Sequence, residues 1–297
     1  MKDTLQRFLF EQANVRGELV QLEESWRAVL ERHDYPEPVR QMLGEALVAA
    51  TLLAATMKFS GSITLQVRGD GPISLLVADC SPDFQPGEDQ PAYQIRGMAS
   101  WQGEVPKGDL ASRFGTGHLV ITIDPGKGGK RYQGVVALAG ESLAEAIDDY
   151  LERSEQLPTR MWLAVAGEQA AGMLLQRLPG GDSEEEDWQR LSALAGTITG
   201  QELLALPGEQ LLHRLFHEED RRQFAPQQVS FSCHCSRERI AAALRGMGRE
   251  EVKDMLAEKG KIEASCQFCN QHYHFDVVDV EQIFAAEISP QGSDRRH

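Results

Sequence analysis

The chain reads as an α+β protein: a sheet-rich N-terminal domain with packed helices, a helical linker, and a small C-terminal metal-binding module. Three observations predict this arrangement. Short segments of alternating apolar residues, parted by Gly- and Pro-bearing turns, fill most of residues 1–178. The break Pro179-Gly180-Gly181-Asp182-Ser183, with the acidic run Glu184-Glu185-Glu186-Asp187 behind it, marks a change of composition. Four of the five cysteines fall in the last quarter of the chain. The expected divisions are an α+β domain over 1–178, a metastable helical linker over 179–231, a four-cysteine module over 232–288 and a disordered tail over 289–297.

The elements follow in order. Ser25 is placed to cap a helix through Trp26, Val29 and Leu30. The Pro36/Pro38 pair starts a second helix, from Val39 to Met57, whose alanine-rich second half predicts burial. Ile63, Leu65 and Val67 alternate with polar neighbours, and Gly69-Asp70-Gly71-Pro72 turns the chain into Ile73-Ser74-Leu75-Leu76-Val77, a hairpin. Strands are also expected around Gln94–Trp101, His118–Ile123 and Tyr132–Leu138, the last two flanking the turn Asp124-Pro125-Gly126-Lys127-Gly128-Gly129. Ser142 and Glu145 form a capping-box pattern that opens a helix to Arg153, and short strands near Met161–Val165 and Met173–Gln176 complete the sheet.

Beyond the break, Trp188 to Arg222 reads as helix, with apolar stripes at Leu203, Leu204, Leu211, Leu212, Leu215 and Phe216 interrupted by Pro207-Gly208. So short a segment cannot build its own core, and its order is expected to depend on packing against the first domain. In the last module Ser236 caps a helix through Arg239, Ala243 and Leu244, and Glu250–Glu258 forms another ahead of Gly260. Ile262–Ser265 runs as a strand into Cys266; Tyr273, Phe275 and Val277 alternate as the strand leaving, and a final helix follows Asp279.

Charge narrows the partners. The chain has 297 residues, 30 Lys+Arg against 45 Asp+Glu, and a formal net charge of −15. An acidic balance has the wrong sign for gripping phosphate backbones, so no nucleic-acid partner is expected. The longest nearly uncharged apolar run, Ala46 to Met57, is far shorter than the roughly 20 residues of a spanning helix, so no membrane partner is expected. The stretch Met1–Arg7 mixes charges and lacks the pattern of a secretory signal, which points to the cytoplasm.

The strongest signal is Cys233-His234-Cys235, thirty intervening residues, then Cys266-Gln267-Phe268-Cys269. In a reducing compartment stable disulfides are disfavoured, so two close pairs read as metal ligands, redox thiols, or both. Four thiolates suit one tetrahedral Zn²⁺, with Zn–S of about 2.3 Å. The Cys-x-x-Cys half is an ordinary knuckle, and one residue between Cys233 and Cys235 in extended geometry keeps both sulfurs on one face. His234, His272 and His274 are substitute ligands that four cysteines make unnecessary. The module's aliphatic core is thin, the situation in which a structural metal is needed. Thiolates are also what peroxide or hypochlorous acid attacks, and each pair has a resolving partner close by. Structural zinc supplies about 10–16 kcal/mol of apparent folding energy against about 5–15 kcal/mol for a whole domain, so oxidation should unfold the module. Four cysteines permit three disulfide connectivities, and the nearest-neighbour one needs the first pair to bend from full extension.

With these residues in place, the sequence resembles the redox-regulated holdase chaperone family called heat-shock protein thirty-three. The resemblance runs through Leu9-Phe10-Glu11, Val15-Arg16-Gly17-Glu18-Leu19, His33-Asp34-Tyr35-Pro36 and Gly69-Asp70-Gly71-Pro72. It continues through Tyr132-Gln133-Gly134-Val135-Val136 and Arg153-Ser154-Glu155-Gln156-Leu157-Pro158-Thr159-Arg160 to Cys233-His234-Cys235-Ser236-Arg237-Glu238-Arg239 and the Cys266–Cys269 pair. It implies one zinc per chain on Cys233, Cys235, Cys266 and Cys269 in an inactive reduced state. It implies too that Cys233–Cys235 and Cys266–Cys269 become disulfides in an active, ATP-independent state with a freed linker. That state would bind unfolded or partly unfolded client proteins on residues 1–178 during oxidative stress and favour a homodimer. Asn270 stands after Cys269 where related sequences often carry Gly; Asn tolerates the left-handed conformation, so the knuckle is expected to survive.

The other motifs weaken on inspection. Gly126-Lys127-Gly128-Gly129-Lys130-Arg131 lacks phosphate-loop spacing and reads as a solvated hairpin turn. His213 and His217 stand one helical turn apart, but Arg214 holds the place of a metalloprotease's catalytic Glu, so a plain helix face is the simpler account. Cys80 reads as a buried structural thiol at the end of an apolar strand. No nucleophile–base constellation has diagnostic spacing, so enzyme activity is not expected. The competing functions are a thiol–disulfide oxidoreductase using Cys266-x-x-Cys269 and a zinc-ribbon regulatory module; the acidic balance disfavours the latter on nucleic acid.

Overall fold

The chain divides into two units, Met1–Ser232 and Cys233–His297. The computed structural model describes residues 3–57, 61–84, 90–126, 129–180 and 185–285. The expected tail 289–297, Gly181 to Glu184 at the start of the linker, and Lys127 and Gly128 of the hairpin turn lie outside the described residues.

The first unit runs β1 (Thr4–Phe10), β2 (Val15–Leu22), α1 (Glu24–Leu30), α2 (Glu37–Thr56), β3 (Ser62–Gly69), β4 (Ile73–Asp83), β5 (Ala92–Trp101), α3 (Leu110–Phe114), β6 (Gly117–Asp124) and β7 (Tyr132–Ala137). It continues with α4 (Leu143–Ser154), β8 (Thr159–Ala166), β9 (Gln169–Arg177), α5 (Glu185–Ala195), α6 (Gly200–Ala205), α7 (Gly208–Phe216), β10 (Arg222–Gln223) and β11 (Gln227–Phe231). Ten strands form the path β7-β6-β3-β4-β5-β11-β1-β2-β9-β8, and β10 pairs β1 beside it. The α+β class is as the alternation predicts.

α2 is the centre of this unit. Every residue from Ala46 to Ala55 is buried, and the one hydroxyl among them, that of Thr51, donates to the Leu47 carbonyl at 2.7 Å. A helix apolar all round must be covered all round, and α2 packs against β3, β4 and β5 on one side and β2, β8 and β9 on the other.

A second apolar layer lies on the opposite face of β1, β2 and β9. Trp188, Leu191, Leu203, Leu211, Leu212, Leu215 and Phe216 from α5–α7 pack against Phe8, Phe10, Val15, Leu19, Met173 and Leu175. The Phe10 and Phe216 rings meet edge-on at 5.0 Å. The Phe8 ring occupies the space a Cβ on Gly17 would need, which explains that glycine. The stripes read from sequence are thus covered.

Several expectations are corrected. Ser25 lies inside the first turn of α1, and the cap comes from Asp3: its carboxylate accepts from the backbone N–H groups of Glu23 and Ser25 and from the Ser25 hydroxyl, at 2.6, 3.0 and 2.7 Å. The capping box is half formed at Ser142, because the Glu145 carboxylate takes the N–H of Glu141 instead. A complete box stands at Thr199 and Glu202. The helical run from Trp188 stops at Phe216, and Arg222 begins a strand, so 179–231 contains two strands of the sheet as well as three helices. Strands β1 and β2 escaped the alternation test because β2 is buried on both faces, with Val20 and Leu22 toward α2 and Val15 and Leu19 toward α7.

The second unit comprises α8 (Arg237–Met247), α9 (Arg249–Lys259), β12 (Ile262–Ser265), β13 (His272–Phe275) and α10 (Val277–Ala285). Ser236 caps α8 by accepting the Arg239 N–H, and Gly260 ends α9 at φ +70°, both as expected. Val277 opens α10 instead of extending the strand, because Asp276 and Asp279 exchange backbone and side-chain hydrogen bonds at 2.8 and 3.0 Å and cap a helix there. The described core is eight buried residues: Leu244, Val252, Leu256, Ile262, Phe275, Val280, Ile283 and Phe284.

Candidate metal centre

The four cysteines of the last quarter come together. Cys233 and Cys235 lie just ahead of α8, while Cys266 and Cys269 lie on the turn between β12 and β13. That turn is closed by Cys266 N–H to the Gln271 carbonyl at 2.9 Å and Asn270 N–H to the Cys266 carbonyl at 2.8 Å. Asn270 sits at φ +56°, the left-handed conformation expected of it. All four sulfurs lie within 4.8 Å of one another. Cys233 Sγ is 3.7 Å from Cys266 Sγ, and Cys235 Sγ is 3.2 Å from Cys269 Sγ. A tetrahedron with arms of about 2.3 Å has edges of about 3.8 Å, so the donor set fits one soft-ligand metal ion with little movement.

The thiols do not titrate independently. Desolvation pushes the Cys233 thiol up and carries Cys269 up to about 12, with neighbouring thiols holding its proton in place. Cys235 moves the other way. Burial opposes its ionisation, but the Tyr273 hydroxyl donates to its sulfur at 3.2 Å and the other three thiols add to that, bringing it down to about 7. The same hydrogen bond pushes Tyr273 up to about 12. Cys235 is thus the readier of these to ionise, while Cys233 and Cys269 hold their protons. A dication among them reverses that preference, since each thiolate then faces a positive centre.

Other singled-out residues fall elsewhere. His234, His272 and His274 are not among the clustered donors; His274 Nδ1 lies 3.7 Å from a Glu263 carboxylate oxygen. Cys80 is fully buried on β4 between Ile63 and Ile95, and desolvation pushes its thiol up to about 12, as befits an inert structural thiol. The His213 and His217 rings stand 5.7 Å apart on α7 and its C-cap, with no third ligand among the described residues. Cys266 lies at a strand end rather than at a helix N-terminus, which removes the usual means of activating a redox dithiol. No described helix is long and apolar enough to cross a membrane.

Tyr273 is the functional residue that sequence reasoning missed. It registers there only as one of an alternating series, and its role follows from the β12–β13 pairing, which sets it opposite Ala264.

A family model described as Hsp33 protein matches residues 3–276. A 33 kDa chaperonin of Nitrosococcus oceani is 49% identical over 296 residues, covering 100% of this chain and 99% of that protein. One from Shewanella sediminis is 48% identical over 291 residues, with 98% of each covered. The crystal structure of a 33 kDa chaperonin, a heat shock protein 33 homologue from Thermotoga maritima, superposes with a TM-score of 0.80 at 24% identity, covering 96% of this chain and 99% of that one.

Proposed function

The chain belongs to the Hsp33 family, and from that premise we propose that it is a redox-regulated, ATP-independent holdase of the cytoplasm. The observation that carries the proposal is the convergence of Cys233, Cys235, Cys266 and Cys269 within 4.8 Å, in a unit with only eight buried residues in its described core. In this reading residues 232–288 are the switch, 179–231 the segment that melts, and 1–178 the domain that receives unfolded clients.

In the reduced state the four cysteines hold one zinc ion, which when bound keeps the sulfurs as thiolates and ties the turn before β13 to the stretch before α8. Tyr273 supports that state by donating to Cys235. Oxidation by peroxide proceeds pair by pair. One thiolate attacks a peroxide oxygen, the O–O bond breaks, hydroxide leaves and a sulfenic acid forms. The partner thiolate attacks that sulfur, an S–S bond forms and a second hydroxide leaves; two protons complete two waters. Each pair loses two electrons to one peroxide.

Membership of the family carries the assignment of Cys233–Cys235 and Cys266–Cys269 as the pairs that become disulfides, and the first of them must bend from full extension to close. Disulfides no longer serve as the thiolate donors, so the small unit loses its cross-link. The linker's helices, whose apolar faces are Leu211, Leu212, Leu215 and Phe216, then free both those faces and the sheet surface beneath them for clients. The oxidised protein is expected to dimerise.

The test is light scattering from a thermally unfolding client, with reduced and with peroxide-treated protein, counting released zinc in the same samples. Suppression by the oxidised, zinc-depleted form alone is the expected result. Equal behaviour of the two forms makes the four-cysteine site a structural staple and overturns the reading.

A further inference from the structure

We propose that β11 is a removable strand, and that the slot it fills between β5 and β1 receives an extended stretch of an unfolded client polypeptide. The inference rests on the redox-released reading above and deepens it by naming the client surface. In the sheet order of the described residues, β11 joins the half-sheet β7-β6-β3-β4-β5 to the half-sheet β1-β2-β9-β8.

β11 runs parallel to β5, with Val229 opposite Tyr93 and Phe231 opposite Ile95, and antiparallel to β1, with Thr4 opposite Gln228. Val229 N–H donates to the Asp3 carbonyl at 3.1 Å and Ser232 N–H to the Ile95 carbonyl at 3.0 Å. Just before it, Phe224 N–H donates to the Arg7 carbonyl at 3.0 Å, and β10 pairs with Phe8 and Leu9. One ten-residue stretch, 222–231, thus covers the outer edge of β1 and one edge of β5, and among the described residues those two strands do not pair with each other.

The slot outlasts its occupant because α2 packs against strands of both half-sheets. Removal of 222–231 leaves two unpaired strand edges facing one another across two strand spacings, roughly 9.5 Å. Such edges bind any extended backbone through main-chain hydrogen bonds, with little regard to side chains, and exclude folded proteins. That selectivity is what a holdase needs.

β11 is short and places few apolar side chains in the core. Its fully buried residues are Gln227 and Val229; Gln227 Nε2 donates to the Pro91 carbonyl at 2.8 Å, Phe231 packs on the core beneath Arg32, and the Gln227 Oε1 is left without a hydrogen-bond partner. The strand ends at Phe231, two positions before Cys233 in the chain.

Val229→Pro tests the slot in the reduced state. The substitution deletes the N–H that reaches Asp3 and blocks pairing, without touching a thiol. With zinc content equal to wild type, the reduced variant is expected to bind a labelled, permanently unfolded polypeptide at least tenfold more tightly than reduced wild type. A synthetic peptide of residues 224–232 should compete for that binding. If the variant retains zinc, exchanges its β11 amides freely and gains no client affinity, the proposal is overturned. It is overturned equally if the opened slot is filled by a second copy, seen as a dimer that takes up no client.

Should Val229→Pro fail to fold, hydrogen exchange on oxidised wild type decides. Amides of Leu5, Tyr93 and Ile95, on the edges that face β11, should lose protection on oxidation and regain it at least tenfold with client; absence of that regain overturns the slot. Failure of the redox reading registers separately, as oxidised wild type that releases zinc and binds no client whatever Val229→Pro does when reduced.

Discussion

The two units are held together by different means. In Met1–Ser232 a twenty-residue helix is sheathed by sheet, and a second apolar layer covers the sheet's other face. In Cys233–His297 eight buried residues make the described core, and four thiols converge at one point. A large sheet buries enough apolar surface to stand on packing; a small unit cannot, and leans on a cross-link. On the proposed reading, the difference teaches why an oxidant would dismantle one part of this chain and spare the other: the smaller unit would be held by the groups that react.

Removing the metal should separate the units most. Chelation under reducing conditions, or Cys266→Ser, is expected to cost the small unit up to about 10–16 kcal/mol of apparent folding energy. Hydrogen exchange should show α8–α10 losing protection while α2 keeps it, and the segment 179–231 should become more open to protease. Equal loss in both units breaks the comparison.

Phe216→Ala attacks the other side. It deletes a fully buried ring that meets Phe10 at 5.0 Å, at a cost of about 3–5 kcal/mol. Denaturant unfolding should register that loss in the sheet unit with zinc stoichiometry unchanged at saturating zinc; a loss that appears instead in α8–α10 breaks the comparison.

A pH series on Glu18→Gln sharpens what the sheet unit's packing tolerates. Burial raises the Glu18 carboxyl from 4.5 to about 7 against the pull of Arg16 and Arg7, and its Oε2 has no hydrogen-bond partner. Between those values the folded chain keeps a proton that the unfolded chain has released, so Glu18 costs stability progressively as pH rises from about 4.5 to about 7, and the cost levels off above. The melting temperature of Glu18→Gln relative to wild type should climb across that window. A flat difference refutes the assignment.

The smallest effect is a matched pair of caps. Ser236→Ala and Thr199→Ala each delete a hydroxyl that accepts a backbone N–H, worth about 1 kcal/mol. The first should lower zinc affinity slightly and the second leave it unchanged, as measured by chelator competition.

Legibility from sequence followed physical locality. The hairpin β3–β4, the helix after Pro36, the Ser236 cap and the Gly260 stop are signalled by residues within a few positions of one another, and each stands where the sequence predicts it. The Asp3 cap joins residues about twenty apart in sequence, β2 hides its period because both its faces are buried, and β11 carries two adjacent glutamines and too few apolar residues to register as a strand. Propensity is a local quantity, and these features are not.

The sequence by itself determined that four cysteines in two close pairs form a donor set suited to one soft-ligand metal ion, because ligand type and spacing are covalent facts. It also determined that the stripes of Leu211, Leu212, Leu215 and Phe216 need a cover. Only the tertiary structure decided what covers them, that Tyr273 shares its hydroxyl with Cys235, and that the segment leading to Cys233 splices two half-sheets into one. Each of those depends on which distant surfaces meet, and that is settled by how the whole chain buries its apolar area and pairs its backbone groups.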